Sequence, residues 1–316
     1  MVGGNKNMSK ENTAVTKKKM KRCKEDVVFD TACFIILTLV LFVVAYPLYW
    51  VIISSISAPS AVSSGKVLLH PIGFTLKGYA EVFKNDQVMR GFLNSLIITF
   101  CGVMVNLIVT LPTSYALSRS NFSGKKPITI FYLITMFFSG GLIPTYLVIQ
   151  KLQMLNTIWA LILPGCLSVY NMIVARTFFK SNISEELYEA AEIDGCTQAR
   201  FFFQIALPLS KAIIAILVLY YGVGHWNSYF SALVYISDKA KYPLQLVLRN
   251  ILITNQTALS QTATTAAARA ALQEKQQLID VMKYSLIIIS SIPVLVMYPL
   301  VQKHFVKGVM IGSMKG

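Results

Sequence analysis

One apolar segment of this 316-residue chain carries a group of aromatic and polar side chains that could bind a small polar solute. Sugars are bound by aromatic faces, which pack against their C–H surfaces, and by polar groups that hydrogen-bond their hydroxyls. The candidates are Tyr221, His225, Trp226, Asn227 and Tyr229, with Tyr146 and Asn171 as weaker candidates in other apolar segments. Helix packing or an aromatic belt at a membrane surface would explain the same side chains, so both interpretations stand.

The residues of this chain offer no source of energy for moving a solute. Its apolar segments contain no carboxylate, and His225 is the only titratable side chain expected deep within them. Ion-coupled carriers place Asp, Glu or a His relay inside the membrane, and a single His more often has a structural role. The chain also lacks a Gly-rich Walker sequence for a nucleotide. The energy must therefore come from another subunit.

Catalysis and metal binding find no support in the sequence. There is no GxSxG or HExxH motif and no carboxylate pair in an apolar segment. The 3 histidines and 5 cysteines show no metal-ligand spacing, and no CxxC pair occurs. We therefore expect no catalytic residue, no metal site and no cofactor bound by this chain.

The segment 181–208 has the features of a polar helix that docks on another protein. Ser184 can cap this helix, and the acidic residues that follow suit its first turn. Ala190 and Ala191 leave one face shallow, so that another backbone can approach closely. Gly195 suits the left-handed position that ends a helix.

Composition predicts a membrane protein. Hydrophobic residues make up 55% of the chain and charged residues 14%, whereas soluble domains average about a quarter charged residues. Several apolar runs exceed the ~20 residues that a helix needs to cross a bilayer. Basic residues in alternate loops indicate which side is cytoplasmic. We expect an all-α polytopic protein with six transmembrane helices and both termini in the cytoplasm.

The chain has a formal net charge of +15, and its N-terminal tail is densely basic. This tail lies directly before an apolar span, as the positive-inside rule describes for a cytoplasmic flank. No aromatic residues alternate with its lysines to stack on bases. We therefore expect contact with anionic membrane lipids and not with nucleic acid.

Apolar runs and loop charges together predict the order of the chain. The prediction places a basic cytoplasmic tail over 1–29, a first transmembrane helix over 30–53, an extracellular loop over 54–91, a core of five further helices over 92–301 and a cytoplasmic tail over 302–316. Within the core, spans are expected over about 92–118, 128–150, 157–179, 209–236 and 282–301, with segment 181–208 in the cytoplasm and segment 237–281 outside. Gly140, Gly141 and Pro144 predict a break in the span over 128–150.

The polar segment also carries a spaced pattern that marks a family. Glu-Ala-Ala at 189–191, then Gly195 after three residues, then Ile-x-Leu-Pro at 205–208 after nine more, resembles the cytoplasmic-loop signature of ABC-importer permeases. In that family the loop forms a coupling helix that docks into a cleft on a separate ATPase subunit. The resemblance implies that the coupling residues are Glu189, Ala190, Ala191, Asp194, Gly195, Ile205 and Pro208.

Further stretches resemble the maltose-type carbohydrate permeases, on the side of the smaller of the two permease subunits. These are 92–96, 143–146 with 155–157, the pair at 226–227 and the ending 305–308. The Ala/Gln-rich stretch 263–277, within the outer segment 237–281, and the terminal 308–313 resemble the subgroup for complex polysaccharides and multiple sugars in Gram-positive bacteria. The resemblance covers about 30–316.

This resemblance implies a whole assembly. It implies the type I ABC-importer transmembrane fold in a bacterial cytoplasmic membrane and an oligosaccharide substrate moved by alternating access. Its other members would be a second related permease, two ATPase subunits that bind ATP and Mg²⁺, and an extracellular solute-binding lipoprotein. The partner permease could supply most of the sugar site, so the resemblance assigns no sugar-binding residue.

Other functions stay open at the level of sequence. An ABC permease for amino acids, peptides or polyamines would carry the same coupling pattern. A membrane scaffold that binds an ATPase without conducting a solute is a different class, and the polar group around His225 argues mildly against it. The missing carboxylates disfavour an ion-coupled carrier.

Overall fold

The structure, a computed structural model, describes residues 24–258 and 266–313, and every regular element within these two ranges is helical. The helices are α1 (Lys24–Ser55), α2 (Pro59–Ser63), α3 (Lys77–Lys84), α4 (Asp86–Ser118), α5 (Lys125–Phe137), α6 (Leu142–Lys151), α7 (Trp159–Ile162), α8 (Val169–Asn182), α9 (Glu185–Ile193), α10 (Gln198–Phe201), α11 (Leu207–Leu209), α12 (Lys211–Trp226), α13 (Phe230–Tyr235), α14 (Leu244–Ala258) and α15 (Ala266–Ser313). The all-α class is confirmed for these residues. Most of the predicted tail over 1–29, and the side chains of the ending 305–308, lie outside them.

Three of the described helices are long and apolar enough to cross a membrane. They are α1, α4 and the stretch Gln276–Pro299 of α15. Three further helix pairs would each form one span with a sharp bend between its two parts. The described residues therefore contain three such helices, or up to six if each bent pair is one span.

Two of the three bends fall at glycine or proline positions. The bend between α5 and α6 measures 113°, and Gly141 there has a φ of +85°. This break agrees with the prediction. The other two, of 52° before α8 and 80° before α12, were not predicted. Pro164 lies in the 3₁₀ turn Leu163–Gly165 before α8, where proline removes a backbone donor.

The helix α12 is shorter than the sequence predicted. It ends at Trp226, whereas the span was expected to run to residue 236. The N–H of Asn227 closes the helix by donating to the Val223 carbonyl over 3.1 Å. Asparagine side chains can hydrogen-bond nearby backbone groups in place of the helical bonds, so asparagine favours helix ends. The apolar run therefore predicted a longer helix than the structure contains.

The described residues divide into two compact units between Tyr49 and Trp50. In the first unit, α1 exposes most of its apolar side chains and continues as one helix through Pro47. In the second unit, α4 is the central helix and packs against α8, α12 and α14.

The central helix α4 joins two hydrophobic clusters. Near its end, Leu111 and Tyr115 pack with residues of α8 to α12. Near its start, Val88 packs with a second cluster that includes Leu244 of α14 and Leu286 of α15. Because a helix rises 1.5 Å per residue, the 33 residues of α4 separate its ends by about 50 Å.

The segment 237–281, which was predicted to lie outside the membrane, is mostly helical where the structure describes it. It contains the short 3₁₀ helix Lys239–Lys241 and α14, whose Leu244 and Leu246 are buried. The helix α15 begins within this segment and continues without a break to Ser313.

The short helix α3 packs closely on α15 because Gly78 has no side chain. A Cβ at this position would stand 2.5 Å from Ser285 Oγ and 2.8 Å from a methyl carbon of Val281. It would also lie 3.2 Å from the Val281 carbonyl carbon, which cannot move as a side chain can. The contact therefore depends on glycine.

We expect Gly78→Ala to destabilise the protein, because α3 and α15 would have to separate. Overpacking of this kind costs about 1–3 kcal/mol. Thermal unfolding of the detergent-solubilised chain measures the effect. Gly224→Ala is the matched control, since a Cβ there meets nothing within 4 Å. Equal melting temperatures for the two variants would contradict the packing argument.

Candidate functional site

The helix α9 is built as the sequence predicted. The Ser184 hydroxyl accepts a hydrogen bond from the N–H of Leu187 over 3.3 Å, so Ser184 is the N-cap. Gly195 has a φ of +75° and lies beyond the end of the helix, with its N–H bonded to the Glu192 carbonyl. Both end signals are therefore confirmed.

One face of α9 packs inward and the opposite face is exposed. Tyr188 and Ala191 belong to the buried cluster around Tyr115. Glu189 and Ala190 are exposed, and the large apolar side chain of Ile193 is 87% exposed. The two alanines, predicted to form one shallow face, therefore lie on different sides of the helix.

The remaining predicted coupling residues flank α9. Asp194 caps its C-terminus and is exposed. Ile205 lies in the π-helix Phe202–Ala206 and packs partly against the buried cluster. Pro208 is exposed in α11. No contact of the described residues tests whether an ATPase binds here, so the coupling role stays a prediction.

Arg119, which follows the span predicted over 92–118, was not among the predicted site residues. The Arg119 guanidinium forms a 2.7 Å ion pair with Glu185 in the first turn of α9. The two residues are 66 positions apart. No local pattern in the sequence could have paired them.

A hydrogen-bonded group surrounds His225 in α12. Its Nε2 lies 2.7 Å from Asn106 Oδ1 on α4. Asn106 Nδ2 donates to the carbonyls of Gly165 and Cys166 over 2.8 and 2.9 Å. These two bonds fix the amide so that Oδ1 faces the imidazole, and Nε2 must then carry the proton. The His225 side chain thus has a structural partner.

Tyr221 and Trp226 are also held inside the helix packing. Tyr221 Oη lies 2.7 Å from Thr110 Oγ1 and accepts from the N–H of Ser168 over 3.3 Å. Trp226 is 1% exposed, and its indole N–H donates to the Ser290 carbonyl over 2.9 Å. In this conformation neither ring presents an open face to a solute.

The other candidates for the solute path are divided between surface and interior. Asn227 and Tyr229 are exposed beyond the end of α12. Tyr146 is half-buried and stacks on Tyr235 at 6.3 Å between ring centroids. Asn171 is 6% exposed. The seven candidates do not share one surface, and their role in a solute path stays a prediction.

Within 24–258 and 266–313, no three His, Cys, Asp or Glu side chains are grouped as metal ligands would be. The polar groups that lie deep between the helices are amides, hydroxyls and one imidazole. Such groups can hydrogen-bond neighbouring helices or a polar solute, but they supply neither a nucleophile–base pair nor a metal site.

Two relatives are similar to this chain over most of its length. The chain is 36% identical over 288 residues to the polygalacturonan/rhamnogalacturonan transport system permease protein YtcP of Bacillus subtilis, an alignment that covers 91% of this chain and 98% of YtcP. It is 30% identical over 294 residues to the galactooligosaccharides transport system permease protein GanQ of the same organism, covering 90% and 94%. No family model matches the chain.

A solved structure shows the same fold. It is a crystal structure of a bacterial ABC transporter involved in the import of the acidic polysaccharide alginate. The TM-score is 0.80 at 27% sequence identity, and the match covers 90% of this chain and 99% of the matched chain. The fold and the relatives thus define a transmembrane subunit of an ABC importer. The chain belongs to the family of sugar ABC transporter permeases, as the resemblance predicted.

We expect Asn106→Ala to destabilise the protein, because it leaves the carbonyls of Gly165 and Cys166 and the His225 N–H without their partner. An unsatisfied buried polar group costs about 1–3 kcal/mol. Thermal unfolding in detergent measures the loss. Thr113→Ala is the control on the same helix, because the Thr113 hydroxyl bonds only the Val109 carbonyl of its own helix. A melting temperature of Asn106→Ala as high as that of the control would argue against the structural role.

Proposed function

We propose that this chain is one of two membrane-spanning subunits of an ATP-driven importer that takes up oligosaccharides. In this proposal the chain crosses the membrane six times, each bent helix pair making one span, and both termini are cytoplasmic. It has the type I importer fold. The chain itself is not an enzyme and binds no cofactor, because separate ATPase subunits bind ATP and Mg²⁺ and hydrolyse the nucleotide.

The observation that carries the proposal is the position of α9. Its inward face is anchored by Tyr188 and Ala191, while Glu189, Ala190 and Ile193 form an exposed face on the opposite side. An anchored helix with an exposed apolar side chain suits docking on another protein. The matched spacing of the family signature favours an ATPase as that protein.

The chemistry of the relatives supports an oligosaccharide as the substrate. The name of YtcP refers to polygalacturonan and rhamnogalacturonan, and the name of GanQ refers to galactooligosaccharides. The transporter of known structure is involved in the import of the acidic polysaccharide alginate. The amide and aromatic side chains of the proposed solute path suit sugar hydroxyls and ring faces. Asn227 and Tyr229 are the members of this set that are open to contact.

The mechanism follows from a rigid connection between α9 and the spans. When the ATPase subunits close on ATP, α9 moves with them as a near-rigid element. The spans then rock between inward-open and outward-open arrangements around the solute. The cluster of Tyr115, Tyr188 and Phe201 transmits the movement because packed aromatic cores resist deformation.

The proposal also defines partners and location. A second, related permease would complete the membrane pair, and two ATPase subunits would bind on the cytoplasmic side. A lipid-anchored solute-binding protein would deliver the oligosaccharide from outside. The location would be the cytoplasmic membrane of a Gram-positive bacterium, where anionic lipids would contact the basic tail over 1–29.

Affinity purification from native membranes in mild detergent, followed by mass spectrometry, tests the assembly. We expect a second permease, an ATPase and a solute-binding lipoprotein to co-purify. Uptake by the purified complex in proteoliposomes, compared for oligogalacturonides, neutral galactooligosaccharides and peptides, then tests the substrate. Peptide uptake without oligosaccharide uptake would agree with an importer but contradict an oligosaccharide substrate. Recovery of the chain without an ATPase would overturn the importer.

We expect Gly195→Val to lower uptake by about fivefold or more, in the range of typical coupling energies between sites. A β-branched residue cannot adopt a φ of +75° without strain, so the end of α9 would be displaced. Proteoliposome uptake with the complete complex measures the effect.

Gly65→Val is the matched control for this variant. Gly65 has a φ of +68°, and a Cβ at either glycine meets nothing within 4 Å. Both substitutions therefore strain the backbone similarly, while only one lies beside α9. Equal uptake by the two variants would contradict a coupling role for Gly195.

A further inference from the structure

We propose that Arg119 is the positioning residue that transmits movement of α9 to the central helix α4. This inference rests on the proposed function, since it assumes that an ATPase moves α9. It goes beyond the family signature, which lies wholly within the polar segment 181–208. Arg119 belongs instead to the end of the first span of the core.

The link between Arg119 and α9 is a two-point hydrogen-bonded contact. A terminal guanidinium nitrogen of Arg119 lies 2.7 Å from Glu185 Oε2. The backbone N–H of Ser120 donates to the other carboxylate oxygen, Oε1, over 3.3 Å. Both oxygens of Glu185 are thus held by consecutive residues at the end of α4. This geometry restrains the first turn of α9 in both distance and orientation.

Aromatic rings hold the guanidinium in place. Its central carbon lies 4.2 Å from the ring centroid of Tyr188, and the rings of Tyr115 and Phe201 lie 5.8 and 6.0 Å away. Tyr188 is one helical turn from Glu185, so Arg119 contacts two successive turns of α9. Tyr115 lies one turn before Arg119 on α4. The cation therefore bridges the aromatic side chains of both helices.

Arg119 and Ser120 also connect to α4 and α5 through their backbone. Arg119 is the C-cap residue of α4. The ammonium group of Lys125, the first residue of α5, donates to the carbonyls of Arg119 and Ser120 over 3.1 and 3.0 Å. The residues at 119–120 thus join three helices, α4, α5 and α9.

The burial of Arg119 distinguishes this pair from an ordinary surface ion pair. Exposed pairs contribute little to stability because water screens them. The side chain of Arg119 is 13% exposed, whereas that of Glu185 is 46% exposed. Arginine can form the charge-assisted bond and stack on Tyr188 simultaneously because its guanidinium is planar. A lysine would keep the charge but lose the stacking and the fork geometry.

The test measures solute imported per ATP hydrolysed, in proteoliposomes that contain the complete complex and the solute-binding protein. The probe is the oligosaccharide that the wild-type complex imports. We expect Arg119→Lys to lower this ratio by about fivefold. Co-purification of the ATPase and an unchanged gel-filtration profile verify that the variant is folded and assembled.

A double-variant comparison separates positioning from general stability. Glu185→Gln should lower the ratio in the same way, and Arg119→Lys with Glu185→Gln should be no worse than the poorer single variant, because both act on one contact. Lys84→Gln is the control, since it removes an exposed ion pair with Glu81 inside α3, which precedes the start of α4 and is remote from Arg119 in the chain. We expect it to leave the ratio unchanged.

Different outcomes would contradict the positioning role of Arg119 and the proposed importer function. If Arg119→Lys and Glu185→Gln assemble and keep the wild-type ratio, Arg119 is not a positioning residue, although the importer stands. If the losses of the two single variants add in the double variant, the two residues act separately, and their contact is not what positions α9. If the wild-type chain neither binds an ATPase nor imports an oligosaccharide, the proposed function itself fails.

Discussion

The structure depends on satisfying backbone groups where helices break inside an apolar layer. Water cannot hydrogen-bond a freed carbonyl there, so another part of the protein must. Asn106 of α4 does this at the break before α8, and two further polar residues of the same helix, at four-residue spacing, bond neighbouring helices. Asn106 donates to the carbonyls of the broken segment before α8, Thr110 contacts the Tyr221 hydroxyl, and the Ser114 hydroxyl lies 3.0 Å from the Met172 carbonyl. The carbonyls at the break before α8 are thus hydrogen-bonded inside the protein, as an apolar surrounding requires.

The same constraint explains why polar and aromatic residues in α12 do not by themselves define a substrate site. The hydrogen bonds of Tyr221, His225 and Trp226 are used between helices, so part of the apparent sugar-binding signal is structural. The exposed members of the set, Asn227 and Tyr229, lie after the helix end. A complete sugar site in a pair of permeases would also use the facing subunit, which fits the division of these residues between interior and surface.

Features with a local physical cause could be predicted from the sequence, and features formed by distant partners could not. Ser184 as a cap and the breaks at Gly141 and Gly195 follow from backbone chemistry within a few residues. The bend at Pro164 was missed because its compensation by Asn106 comes from 59 residues away. Helical periodicity placed Ala190 and Ala191 near each other, but only the packing of Tyr188 and Phe201 decides which side of α9 faces inward.

The spacing between partners in this network also sets an order in time. Asn106 enters the membrane before its partners exist, since Gly165 and His225 follow it by 59 and 119 residues. At the usual ribosomal rate, the full network is complete only about 6 to 24 s after Asn106 is made. During that interval the amide of α4 must find temporary partners, in water, in lipid headgroups or in the insertion machinery. The polar side chains of the helix that organises the finished protein therefore wait for partners that are synthesised well after it.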